Sequence, residues 1–138
     1  MARRRLQVIG LDTNVIVRYV MQDDARQAAQ ATRLIESLSS DEPGFVTQIA
    51  VVELGWVLTS AYGLGRDQVG AIVTQLLRTA ELVVECSDQI WKALRSFGTG
   101  RADLSDCLMQ VIAAEAGCSR TVTFDRHAAK SGGMVLLV

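Results

Sequence analysis

Leu6-Gln7-Val8-Ile9-Gly10-Leu11-Asp12-Thr13-Asn14 is an apolar run that stops at a carboxylate and continues into two small polar residues. A run rich in Val, Ile and Leu, with no polar alternation beyond Gln7, predicts a strand buried on both faces. In an open parallel sheet, ligands occupy the crevice outside the carboxyl ends of the strands. Asp12 stands at such an end. The same residue is also a good N-cap for a helix starting near Asn14. On this stretch alone both roles stay open.

Working outward, residues 15–21 predict a short helix broken at Asp23-Asp24. A second helix follows over 26–39, with Ala28, Ala31, Leu34, Ile35 and Leu38 at helical spacing. Pro43, the only proline, marks a turn before a short strand at 44–47. The next helix spans 48–62. Thr47 suits its N-cap, Val46 and Val51 are spaced as a hydrophobic staple, and Gly63 and Gly65 end it. Residues 66–79 predict a helix, 82–85 a strand, 88–97 a helix and 98–100 a loop. An apolar helix over 104–116 closes at Gly117. A strand at 121–124 ends at Asp125, and 135–138 predicts a last strand. Strands alternating with helices argue for an α/β domain with a parallel sheet.

The chain has 138 residues, 49% hydrophobic and 21% charged, with a net charge of −1. This is the size of one folded domain that needs no disulfide or structural metal for its core. It is not a basic nucleic-acid glove. Arg3-Arg4-Arg5 reads as a solvated, flexible basic tail over residues 1–5. Cys86, Cys107 and Cys118 are odd in number, lack C-x-x-C spacing and have apolar neighbours, which predicts reduced core thiols. The apolar run after the arginines reaches Asp12 too soon for a secretory signal, and no stretch approaches the ~20 apolar residues that span a bilayer. A cytoplasmic protein without a membrane partner is expected.

The acids then draw attention. Glu53 sits mid-helix among Ile49, Ala50, Trp56 and Val57 at i−4, i−3, i+3 and i+4, none of which pairs with a charge. Buried there, it needs a proton, a distant partner or a cation. Asp103 and Asp106 lie three apart at the head of an apolar helix. Asp103 reads first as its N-cap, and Asp106 is the better site candidate. Asp125 closes a second strand as Asp12 closes the first, and Arg126 could neutralise it. Carboxylates gathered in one pocket repel, and a divalent cation is the usual remedy. All-oxygen ligands select Mg²⁺ or Mn²⁺ over zinc. His127, the lone histidine, has no partner for a zinc site and reads as a surface residue.

Four stretches together resemble the PIN domain: Leu11-Asp12-Thr13-Asn14-Val15-Ile16-Val17-Arg18-Tyr19, Val51-Val52-Glu53-Leu54, Ala102-Asp103-Leu104-Ser105-Asp106-Cys107-Leu108 and Thr121-Val122-Thr123-Phe124-Asp125-Arg126. The nearest likeness is to VapC toxins of prokaryotic toxin–antitoxin pairs, and it runs from about Val8 to Leu137. The resemblance implies a single-domain α/β/α sandwich around a mainly parallel sheet of four to five strands. It implies a Mg²⁺- or Mn²⁺-dependent endoribonuclease whose acidic quartet falls on Asp12, Glu53, Asp106 and Asp125. Asp12, Glu53 and Asp106 would hold the main cation, with Asp125 completing the pocket. Asp103 matches a position often acidic in the family. Asn14 and Thr123 match supporting polar positions. VapC-type proteins usually form homodimers and are inhibited by a VapB-type antitoxin. Arg18, Arg101 and Arg126 lie near the acids in sequence and could contact RNA phosphates or serve as ion-pair partners.

Other domains gather aspartates at strand ends. A response-regulator receiver needs an acidic pair after its first strand, where Thr13-Asn14 stand here, and would not place Glu53 in a helix. A haloacid-dehalogenase-like phosphatase wants Asp-x-Asp, and Asn14 stands at the second position. A pure binding module would use its acids only as helix caps.

Overall fold

The computed structural model describes residues 7–138, so the basic triplet and Leu6 lie outside the described residues. Within them, five short strands alternate with seven helices. The order is β1 (Ile9–Gly10), α1 (Thr13–Met21), α2 (Ala25–Glu36), β2 (Gly44–Val46), α3 (Gln48–Ser60), α4 (Arg66–Arg78) and β3 (Leu82–Val84). Then come α5 (Ser87–Thr99), α6 (Leu104–Glu115), β4 (Val122–Thr123), α7 (Arg126–Gly132) and β5 (Val135–Leu136).

The fold is α/β with parallel strands, as the alternation predicts. The five strands divide into a three-stranded sheet, ordered β1-β2-β3, and a separate β4-β5 pair, all parallel. Helix pairs α1–α2 and α3–α4 make the crossovers of the first sheet, and α7 makes that of the second. β2 runs through the middle, and Gly44 is required there by close approach. A Cβ at that position would stand 2.9 Å from both Leu11 and Leu38 and 3.0 Å from Leu82. The core lies between sheet and helices and includes Ile16, Val46, Leu54, Leu58, Val73 and Ile90.

The first strand departs from its expected burial. Val8 is 57% exposed and Ile9 37%, and only Leu11 is buried. β1 is an edge strand of the sheet, so its apolar run is covered on fewer sides than a central strand. The thiols depart too. Cys107 is buried, but Cys86 and Cys118 are exposed, and all three are free. Cys86 occupies the left-handed turn that enters α5, with φ 52°, and Cys118 follows the end of α6 at Gly117. Both sit in connections, where apolar sequence neighbours do not ensure burial.

Helix ends shift for local reasons. α1 starts at Thr13, two residues early, because Asp12 caps it. α5 continues through Gly98 to Thr99, driven by the buried face of Ile90, Ala93 and Phe97. α7 is absent from the sequence reading. Its signals were Asp125 as N-cap and Gly133, left-handed at φ 77°, as terminator. No helix among the described residues is long and apolar enough to cross a membrane.

Candidate active site

The carboxyl ends of β1 and β2 deliver the first part of the site. Asp12 follows β1, is exposed, and accepts a 2.8 Å hydrogen bond from the Thr13 amide as N-cap of α1. The capping reading therefore holds, and it fixes the carboxylate at the strand end. Thr47, after β2, caps α3 in the same way through the Ala50 amide at 3.0 Å. These two caps set α1 and α3 side by side. Thr13, only 5% exposed, donates its hydroxyl to Glu53 Oε2 at 2.7 Å. Asp12, Thr13 and Glu53 line one shallow groove of about 330 Å³.

The expected surroundings of Glu53 need correction. It is exposed, not buried, and its partner is the Thr13 hydroxyl. Ile49 and Trp56, each 71% exposed, are left outside with it. The physical reason is that α3 turns Val51, Leu54 and Leu58 inward, with Ala50 at the margin of that buried side. Apolar neighbours at helical spacing identified Glu53's face, but Glu53, Ile49 and Trp56 stand on its solvent side.

The second part of the site lies at the N-termini of α6 and α7. Asp103 occupies the N-cap position of α6, yet its side chain makes no capping hydrogen bond. Asp106 follows in the first turn and is partly buried. Burial pushes its carboxyl above the ordinary aspartate range, and the charges of Asp103 and Asp125 push the same way, while His127 opposes them. These three acids are thus electrostatic neighbours. Asp125 Oδ1 accepts from the amides of His127 at 2.8 Å and Ala128 at 3.4 Å. Thr123 Oγ1 accepts from the Asp125 amide at 3.0 Å and so fixes the turn that carries this acid.

A larger groove of about 590 Å³ connects the two parts. Glu53 and Asp103 both border it, and Glu53 also borders the smaller groove. The acids thus follow one another from Asp12 through Glu53 and Asp103 to Asp106 and Asp125. Among the described residues, no three acidic, histidine or cysteine side chains close around a single point as a metal cage.

The remaining candidates are placed unequally. Arg18 is held away from the acids, with Nε on Gln27 at 2.7 Å and Nη1 on Asp23 at 3.2 Å and on the Tyr62 hydroxyl at 3.1 Å. Asn14 borders the grooves of that Arg18 region. Arg101 and Arg126 are exposed beside the second group of acids in sequence, and the Arg101 carbonyl accepts from His127 Nε2 at 3.2 Å.

A comparison with known families finds the PIN domain matched over residues 9–133. The chain belongs to the PIN-domain family. No curated protein matches it. PIN domains are in general metal-dependent nucleases that act on RNA. The donors of this PIN domain fit that chemistry in kind. They are carboxylate oxygens, the ligands of hard divalent cations, and the crowding of negative charge at Asp106 is what a cation would relieve.

Sequence reasoning gave no role to several groups that the PIN fold brings to the site. Thr13 was readable only as the small residue after Asp12, yet its hydroxyl links α1 to Glu53. His127 is exposed as expected, but its electrostatic influence on Asp106 arises only through the unexpected α7. Trp56 and Arg66 line the larger groove. Neither carries a sequence signal that distinguishes it from an ordinary helix residue.

Proposed function

We propose that this PIN domain is an endoribonuclease toxin of the VapC type that uses Mg²⁺ or Mn²⁺. The observation that carries the reading is that Asp12 and Glu53 share one groove, Glu53 and Asp103 share a second, and Asp103 and Asp125 are the charged neighbours of Asp106. Asp12, Glu53 and Asp106 are the proposed ligands of the main cation, and Asp125 completes the acidic set. When bound, the cation supplies charge neutralisation at the scissile phosphodiester and an acidified water for in-line attack.

The chain's own residues prepare that site. The Thr13 hydroxyl orients Glu53, the Thr13 amide orients Asp12, and the α7 amides orient Asp125. Thr123 fixes the backbone of Asp125. Asp103, uncommitted to its helix amides, adds negative charge beside Asp106. Arg101 and Arg126, both exposed, are the proposed phosphate contacts. Arg18 and Asn14 serve the neighbouring region instead, with Arg18 neutralised by Asp23.

We further propose a homodimer, inhibition by a VapB-type antitoxin, and a cytoplasmic location. Exposed apolar side chains on α3 and α6, such as Ile49 and Met109, provide surface for such partners.

The test is cleavage of total RNA by the purified protein with Mg²⁺, Mn²⁺ or EDTA, beside Asp12→Asn and Asp106→Asn variants. Discrete fragments that require metal and vanish in both variants are expected. Metal-independent cleavage, or full activity in either variant, would refute the assignment. Intact RNA throughout would favour a binding role, and metal titration of Glu53→Gln would then show whether the carboxylates bind a cation at all.

A further inference from the structure

The nuclease chemistry makes no use of the apolar body of the larger groove. Its floor includes Val52, Gly55, Leu64, Val69 and Leu104, contributed by α3, α4 and α6 and the turn between α3 and α4. Gly55 packs beside Leu104, whose side chain a Cβ at position 55 would meet at 3.4 Å, an ordinary contact. Trp56 also lines the groove, one helical turn beyond Glu53, with its side chain 71% exposed. Arg66 lines it as well, its guanidinium 4.0 Å from the Phe97 ring centroid and donating to the Phe97 carbonyl. The cation is therefore held in place against an aromatic wall.

Handling a phosphodiester calls for carboxylates, a cation and water, not for an apolar floor. An exposed indole, a fixed guanidinium and an apolar floor are what an unpaired nucleobase stacks against. A volume of about 590 Å³ lies within the range of small-molecule sites, about 300–1,000 Å³. The groove is also continuous with the acids, since Glu53 and Asp103 stand on its border.

We propose that the groove between α3, α4 and α6 is a nucleobase subsite. It seats one unpaired base of the RNA against Trp56 and beside Arg66, with the attached phosphate directed toward Glu53 and Asp103. The subsite rests on the ribonuclease reading and adds to it the side chains of this chain that hold the base, Trp56 and Arg66. A base inside a duplex has both faces covered and is not accepted.

The chain's two tryptophans, Trp56 and Trp91, make this measurable. In a Trp91→Phe chain, Trp56 is the sole reporter. The probe is a short mixed-sequence oligoribonucleotide, single-stranded or as its duplex, titrated in EDTA so that nothing is cut. The single strand should quench Trp56 emission and the duplex should not. Trp56→Ala should weaken single-strand binding about tenfold or more, Trp56→Phe should retain most of it, and an abasic nucleotide in the probe should reproduce the loss. Equal quenching by the duplex, or unaltered affinity in Trp56→Ala, overturns the subsite. So does an emission change that follows protein concentration alone, which assigns the groove to a second copy of the chain. Quenching by single strands without any metal-dependent cleavage would sink the nuclease reading and leave the subsite standing. Cleavage with an unmoved KM in Trp56→Ala would do the reverse.

Discussion

Two charged regions of this molecule are built on opposite terms. Around Arg18, each charge meets its complement within the chain. The guanidinium bonds Gln27, Asp23 and Tyr62, and the Tyr62 hydroxyl donates to Asp23 at 2.7 Å. That hydroxyl above all, with help from Arg18, holds the Asp23 carboxyl below its usual range. At Asp106, burial first and then the charges of Asp103 and Asp125 push the carboxyl up, against the opposing influence of His127. One region uses charge to join α1, α2 and the end of α3. The other keeps like charges together at the ends of strands and helices. An arrangement that is unfavourable in the bare chain makes sense where a cation completes it.

The sharpest break of this contrast removes a site acid. In Asp12→Asn or Asp106→Asn, RNA cleavage should fall on the order of 10²–10³-fold, as for loss of a key electrostatic group elsewhere, with circular dichroism unchanged. Activity retained in both would mean that the acidic region is not a site.

Next in size is the hydroxyl between the helices. Thr13→Val keeps the shape of a buried side chain but removes the donor to Glu53. Cleavage and Mg²⁺ affinity should fall by about 10- to 100-fold, the usual cost of losing a group that orients a ligand. Normal metal affinity in this variant would show that Glu53 needs no positioning.

The Arg18 region should behave in the opposite sense. Tyr62→Phe removes the donor to Asp23 and should lower the urea midpoint of unfolding slightly, with cleavage unchanged. A variant equally stable but less active would erase the distinction between the two regions.

The smallest effect is the most diagnostic. Asp106 has a raised carboxyl in the fold, so its contribution to stability is full at low pH and is lost as pH rises through the folded-state value. Without metal, Asp106→Asn should therefore melt slightly above the natural chain at neutral pH, by about 2 °C. The difference should shrink in acid. Added Mg²⁺ should raise the melting temperature of the natural chain and leave the variant's unmoved. A variant that melts lower at neutral pH without metal would show that the ionised Asp106 carboxylate carries no net cost in the fold.

The order of strands and helices was legible because hydrophobic spacing reports which face of an element is covered. Thr47 and Asp12 announced their caps, and Gly44 lay in the strand it had to serve. The four acids stood out because each ended an apolar run or interrupted an apolar helix. Their mutual arrangement was not legible. Spacing along α3 identified the side carrying Glu53, but only packing determined that Leu54 and Leu58 would turn inward and leave Glu53 with Ile49 and Trp56 outside.

By itself, then, the sequence determined the parallel α/β alternation and the identity of the carboxylates, since both depend on local periodicity and residue chemistry. The tertiary structure decided the division into three strands and two, the α7 turn behind Asp125, and the reach of Thr13 to Glu53 across 40 residues of chain. It also decided that Trp56 and Arg66 share a groove with the acids. Those relations are set by which helix faces meet, and a pattern read along one helix does not specify the helix it will meet.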